Sequence, residues 1–203
     1  MNSAIVLRGR HIRLEPLSRD HVEPLVRASY GGGELYAMSF VPQNEADVRR
    51  YVEDALASAR AGHAVPFATV RQSDDTVIGT TRFFDLARWA WPRDHSRVPE
   101  AYDTCEIGYT WLAPHAIRTA ANTEAKLLML THAFEAWRVY SVCFHTDARN
   151  ERSRRAIERI GGQFEGILRA HRLATDLAPR DSARYSIVAA EWPAVKERLL
   201  ARL

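Results

Sequence analysis

From Asn44 the run EADVRRYVEDALASARAG sets Val48, Tyr51, Val52, Ala55 and Ala59 at helical spacing and closes at Gly62, which predicts a helix. Before it, residues 5–7 and 11–14 around Gly9 read as a short hairpin or bent first strand. Pro16 and a capping Ser18 then open a helix over Arg19–Ser29 that Gly31, Gly32 and Gly33 stop. The pattern changes to strands at 66–70 and 76–86, with the turn formers Ser73, Asp74 and Asp75 between them. Residues 87–103 hold Trp89, Trp91, Pro92 and Pro99 among charges without a period, a loop that is either functional or a surface excursion packing its tryptophans on the core.

At 104–112 apolar and polar positions alternate. Cys105, Ile107, Tyr109 and Trp111 fall on one face, with Thr104, Glu106, Gly108 and Thr110 on the other. Leu127, Leu130, Phe134 and Trp137 then form a helical stripe with Asn122 or Thr123 as N-cap. A strand at 139–146 leads to a helix carrying Ala156, Ile157 and Ile160 and ended by Gly161. Strands at 164–175 and 183–190, parted by Pro179, precede a last helix with Pro193 in its first turn. No repeat or linker divides residues 1–203, so the order predicts one mixed α/β domain with helices on a largely antiparallel sheet.

Composition narrows the class. With 46% hydrophobic and 26% charged residues the chain is ordinary globular protein. A net charge of +3 without any Lys/Arg block gives little footing for a nucleic-acid or membrane surface. Cys105 and Cys143 lack zinc or redox spacing, and no apolar run is long enough to span a membrane, so a cytoplasmic protein is expected.

Glu106 sits on the small, polar face of its strand, where it is either a general base, if burial raises its pKa toward neutrality, or an exposed carboxylate paired with an arginine. Gly108 beside it marks a bulge or a close approach by ligand backbone. The N–H groups from about Arg118 to Thr123, the helix dipole and the Arg118 side chain suit a diphosphate, and Thr119, Ala120 and Ala121 are small enough for backbone to approach it. Asn150 is suited to cap the following helix, with Ser153 in its first turn; alternatively both face the gap between the two strands, positioning a ligand and protonating a leaving group. His145 and Asp147 form an H-x-D without a third ligand, so no metal is expected.

The stretch EIGYTWLAPHAIRTAANTEAKLLMLTHAFEAWRVYSVCFHTDARNERSRRAIERIGGQFEG resembles the GNAT acetyltransferases, in particular the RimJ/RimL branch of ribosomal-protein-alanine N-acetyltransferase-like enzymes. LRGRHIRLEPLSRDHVEPL at the start, and LRAHRL and RYSIVAAEWPAVKERL near the end, extend the likeness over nearly the whole chain. The resemblance implies a twisted, mostly antiparallel sheet of six or seven strands with about four or five helices, two neighbouring strands splaying to admit acetyl-CoA. It places the pyrophosphate on the loop matching Ile117, Arg118, Thr119, Ala120, Ala121, Asn122 and Thr123, and the pantetheine arm at Asn150 with Ser153 near the sulfur. Backbone N–H groups near Tyr109, Thr110 and Trp111 would polarise the carbonyl, and Glu106 matches an acidic residue that some members use as base. At Ala120 the family usually has glycine; alanine keeps the N–H but adds a Cβ and disfavours positive φ.

By the same resemblance the reaction is direct transfer of acetyl to an amine, either a ribosomal or other protein N-terminus or a small molecule, in a ternary complex. The alternative is an acyl-CoA-binding sensor without turnover. The Trp89/Trp91 loop and the 171–184 hairpin would border the acceptor, with Asp94, Glu100, Asp103 and Asp176 attracting it. The branch commonly forms homodimers.

Overall fold

A computed structural model describes residues 5–92, 95–96 and 102–203. Among the described residues one eight-stranded sheet forms, β1 (Leu7–Arg8), β2 (Ile12–Pro16), β3 (Ala64–Arg71), β4 (Val77–Ala87), β5 (Thr104–Leu112), β6 (Ser141–Asp147), β7 (Gln163–Leu173) and β8 (Pro179–Val188). Strand order is β1-β2-β3-β4-β5-β6-β8-β7, with every pairing antiparallel except β5 with β6. The fold is the expected mixed α/β one; the count of eight exceeds six or seven because the two-residue β1 pairs in its own right.

Five α-helices flank the sheet: α1 (Val22–Ser29), α2 (Glu45–Arg60), α3 (Ala120–Thr131), α4 (Glu151–Arg159) and α5 (Trp192–Leu200). Asn44 caps α2 by accepting from the Asp47 N–H at 2.9 Å, and its buried stripe is Val48, Val52 and Ala55, as its spacing predicts. Helices α1 and α2 meet each other and lie on β3 and β4, while α3 crosses β1 and β2 and touches α5. Between these layers Phe67, Phe83, Leu14, Leu25, Met129, Leu130 and Tyr185 are wholly enclosed.

Two expectations for the middle of the chain are corrected. The cap of α3 is Thr119, whose Oγ1 accepts the Ala121 N–H at 3.3 Å, so the helix starts before Asn122 and Thr123. The strict alternation of β5 also fails. Arg82 pairs with Gly108 and Thr80 with Trp111, leaving Tyr109 and Thr110 together opposite Thr81. This bulge, with Tyr109 at φ 51°, exchanges the faces beyond it. Tyr109 therefore joins the Glu106 side, edge-on to Phe84, while Thr110 turns under the sheet to Thr81 and Lys126.

Candidate active site

The parallel contact between β5 and β6 is short. Thr104, Cys105 and Glu106 pair with Ser141, Val142 and Cys143, and beyond these three residues the strands are no longer joined. A strand pair that parts leaves backbone donors and acceptors facing a gap, and in a folded protein such groups need partners. The gap is bounded by the bulge on β5 and by the C-terminal half of β6. Helix α3 begins just after the first and α4 just after the second.

The N-terminal end of α3 is shaped for an anion. Arg118 holds φ 64° ahead of the Thr119 cap, and Ala120 is the first residue of the helix. Ala120 is not among the residues at positive φ, so the Cβ it carries in place of the usual glycine meets no backbone conflict; the left-handed position is Arg118. A cleft of about 370 Å³ beside this end is lined by Arg10, Arg71, His115, Thr119, Ala120 and Ala121, which gives it cationic walls. Asn150 and Ser153 stand at the other arm of the gap. The Asn150 side chain accepts the Ser153 N–H at 3.0 Å, so the capping role is realised, at the mouth of the separated strands. Trp111 is buried edge-on to Tyr36.

Two buried side chains in α3 went unnoticed in the sequence because the helical stripe disguised them. Glu124 accepts the backbone N–H groups of Arg10, His11 and Ile12 at 2.6, 2.7 and 2.7 Å, tying the start of α3 to the first hairpin. Lys126 reaches the Thr110 hydroxyl at 2.6 Å, and burial away from any carboxylate lowers its pKa to about 7. The one signal for either was a charge on the apolar face of a predicted helix.

On the opposite face lies Glu106, 3% exposed. Arg172 donates to its two oxygens at 3.3 and 2.9 Å and to Asp85 at 3.1 Å. His145 Nδ1 stands 2.9 Å from Glu106 Oε2, a close approach that misses hydrogen-bond angles. Burial opposes ionisation of Glu106, yet His145 and Arg172 outweigh it and hold the carboxyl below its ordinary range. The condition set for Glu106 as a base, a pKa raised by burial, is therefore not met. The residue is buried and paired with an arginine at once.

Arg172 reaches this point because the β7–β8 hairpin is irregular between Leu168 and Arg172, with Ala170 at φ 46°. The tip of that hairpin meets the α1–α2 connection: Thr175 donates to the Ala37 carbonyl at 2.7 Å, and Arg152 from α4 donates to that of Leu35. The tip and this connection are thus tied together on the face that carries Glu106.

Among the described residues of the Trp89/Trp91 loop, the acid named for the acceptor, Asp103, is held within the loop itself. Asp103 is buried and receives the Trp89 N–H at 2.6 Å and the Trp91 indole N–H at 3.0 Å, and Trp89 stacks on Tyr140 at 5.3 Å. The tryptophans pack at the joined end of β5 and β6, away from the gap. Asp94 and Glu100 lie outside the described residues. Asp176 is exposed and lies 3.6 Å from Arg149. Both cysteines are free thiols whose pKa burial pushes up, which leaves neither as a nucleophile near neutrality.

The acetyltransferase (GNAT) domain family matches residues 11–163. The chain belongs to this family, and it is an acyltransferase. A protein of T. thermophilus described as an acetyltransferase is 35% identical over 100% of this chain and 99% of its own, with a TM-score of 0.79. A GCN5-related N-acetyltransferase from Brucella melitensis is 27% identical, covering 98% and 85%, with a TM-score of 0.83. The RimJ/RimL likeness of the motifs has its counterpart in fold: Mycobacterium smegmatis RimJ, solved with CoA-disulfide, superposes with a TM-score of 0.77 over 98% and 93% at 20% identity. None of the curated proteins matches the chain.

Proposed function

We propose that this enzyme moves the acetyl group of acetyl-CoA directly to a primary amine, at a protein or peptide N-terminus or on a small molecule, in a ternary complex. The observation that carries the reading is the parting of β5 and β6 after Glu106, with a capped, basic helix start on one arm and an ionised carboxylate on the other face. Thioester and amine meet only if one enters from each side of such a gap. In this reading the backbone from Ile117 to Thr123 and the Arg118 side chain hold the pyrophosphate. Backbone N–H groups near Tyr109 and Thr110 polarise the thioester carbonyl. Asn150 borders the pantetheine arm, Ser153 is the proton donor to the sulfur, and Glu106 supplies fixed negative charge on the acceptor side. The setting is taken to be the cytoplasm.

The names of two fold neighbours, RimJ and a ribosomal-protein-serine acetyltransferase from Vibrio cholerae, support protein N-termini as the first acceptors to try. The sensor alternative rested on the Cβ and φ of Ala120; the helical placement speaks against a φ conflict, and the Cβ is left for the ligand-binding test. Calorimetry with acetyl-CoA, followed by thiol release with N-terminal peptides and alkylamines, tests the proposal. Binding together with acceptor-dependent release that collapses in Asn150→Ala supports it; binding without release for any acceptor favours the sensor, and no binding refutes both.

A further inference from the structure

Four strands bring ionisable groups to one point on the acceptor face: Asp85 on β4, Glu106 on β5, His145 on β6, and His171 with Arg172 on β7. His145 helps hold Glu106 ionised, yet its ring meets no hydrogen-bond geometry. Its side chain is 6% exposed, and neither ring nitrogen has a hydrogen-bond partner. An imidazole nitrogen buried without a hydrogen bond costs about 1–3 kcal/mol.

Its place in the sheet bears on the chemistry. Cys143 pairs with Glu106 as the last joined residues of β5 and β6, and His145 is two residues further along β6, on the same face and inside the separated segment. The His171 ring lies beside it, centroids 4.9 Å apart, half-buried and with an unpartnered Nδ1 of its own. A carboxylate, a buried imidazole and a second, half-buried imidazole thus lie side by side.

We propose that His145 is the general base of the transfer, with Glu106 as its positioning residue and His171 as the exit for the proton. This rests on the acetyltransferase reading above. Glu106 Oε2 accepts from Nδ1–H, which fixes the tautomer and leaves a free lone pair on Nε2, an atom enclosed in this structure that an entering acceptor must uncover. Close approaches of this kind commonly gain hydrogen-bond alignment only when substrate is bound. The acceptor enters as an ammonium and gives one proton to Nε2. The amine lone pair then forms the C–N bond as the C–S bond breaks, Ser153 protonates the CoA sulfur and takes up the second N–H proton in its place, and the imidazolium passes its proton through His171 to water.

Other charges facing His145 are consistent with this direction of flow. Arg184 is its partner on β8, and Glu165 on β7 is held by Arg184 and Ser186. Arg172 is occupied by Glu106 and Asp85. Burial, together with the Arg172 and His145 charges, lowers the pKa of His171, so it is neutral and able to receive a proton near pH 7. Asp147 on the same strand is engaged by Arg149.

The test uses the full chain and two readouts. Nitrogen-15 NMR of the imidazoles, which needs no acceptor, should show His145 as the Nδ1–H tautomer in the wild type and a mixture in Glu106→Gln; a wild-type Nε2–H tautomer overturns the proposal. Thiol release from acetyl-CoA is then followed from pH 6 to 9 with Ser- and Ala-initiated hexapeptides, with hexylamine, and with water alone. His145→Gln should lose about 100-fold or more in kcat/KM and the pH-dependent limb, while binding acetyl-CoA within about twofold of wild type. His171→Gln, at a half-buried position, should lose about tenfold and keep that limb. Activity of His145→Gln within about threefold of wild type, or an unchanged limb, overturns the base assignment while leaving acetyl transfer intact. If His145→Gln fails to fold, the NMR result and the His171→Gln rate decide. Failure of every acceptor with the wild type instead refutes the acetyltransferase reading, and the tautomer result still stands or falls by itself.

Discussion

Replacing Glu124 by glutamine should cost the fold about 3–5 kcal/mol. The carboxylate takes three backbone N–H groups, from Arg10, His11 and Ile12, at 2.6–2.7 Å. A carboxamide keeps one acceptor oxygen, which serves the two donors now on Oε2, and turns an NH2 toward the Arg10 N–H. One donor is then left facing a donor, a loss of about 1–3 kcal/mol, and two charge-assisted bonds become neutral ones, about 1 kcal/mol each. In a domain of this size that is a fall in Tm of about 6–20 °C. Urea unfolding at pH 7 measures it, and acetyl-CoA calorimetry reports the consequence for the site, since the same side chain sets where α3 begins. Gly9→Ala provides an independent arm. A Cβ at Gly9 would lie 2.3 Å from Glu124 Cδ, so this substitution should expel the carboxylate and reproduce the loss without touching its chemistry. A loss below about 1 kcal/mol in both variants would refute the claim that these bonds hold helix to hairpin.

Arg172→Met should destabilise by about 1–3 kcal/mol at pH 7, a buried pair discounted because the arginine is 31% exposed. Because Glu106 is held below its ordinary pKa, this contribution is present above pH 4.5 and is lost as pH falls through the lowered folded value, so wild type and variant should converge in acid. Lys126→Met should stabilise by about 3–5 kcal/mol below pH 7, where the lysine must be charged in the unfolded chain but not readily in the fold. Its pKa of about 7 against 10.5 makes the gain shrink as pH rises between those values, and a pH-independent difference in chemical denaturation would contradict the burial argument. Ala120→Gly, restoring the residue usual in the family, should leave the acetyl-CoA dissociation constant within about threefold, because the position is helical; a tenfold tightening by calorimetry would show that the Cβ obstructs the ligand.

Much of the architecture was legible because local periodicity and turn chemistry agree with the final packing. The α2 stripe, the Asn44 cap and the glycine stops each act within a few residues, and each is realised. Reading failed where a distant partner overrides local pattern. Alternation on β5 assigned Tyr109 to the wrong face because one extra residue opposite Thr81 shifts the parity, and nothing inside the strand reports what β4 does across from it. The α3 cap was placed too late because Thr119 is no better a candidate than Thr123 until the chain direction after Ile117 is known.

The sequence by itself determined most of the order of elements and the family, since motif spacing and hydrophobic period are properties of the chain alone. Tertiary structure decided the protonation chemistry. Glu106, His145 and Arg172 stand 39 and 27 residues apart along the chain, and only the short parallel pairing of β5 with β6 and the irregular β7–β8 hairpin bring them into contact. A pKa depends on burial and on charges within a few ångströms. Neither can be read from a residue's neighbours in sequence, and so the lowered pKa of Glu106 and its place beside His145 come from the fold alone.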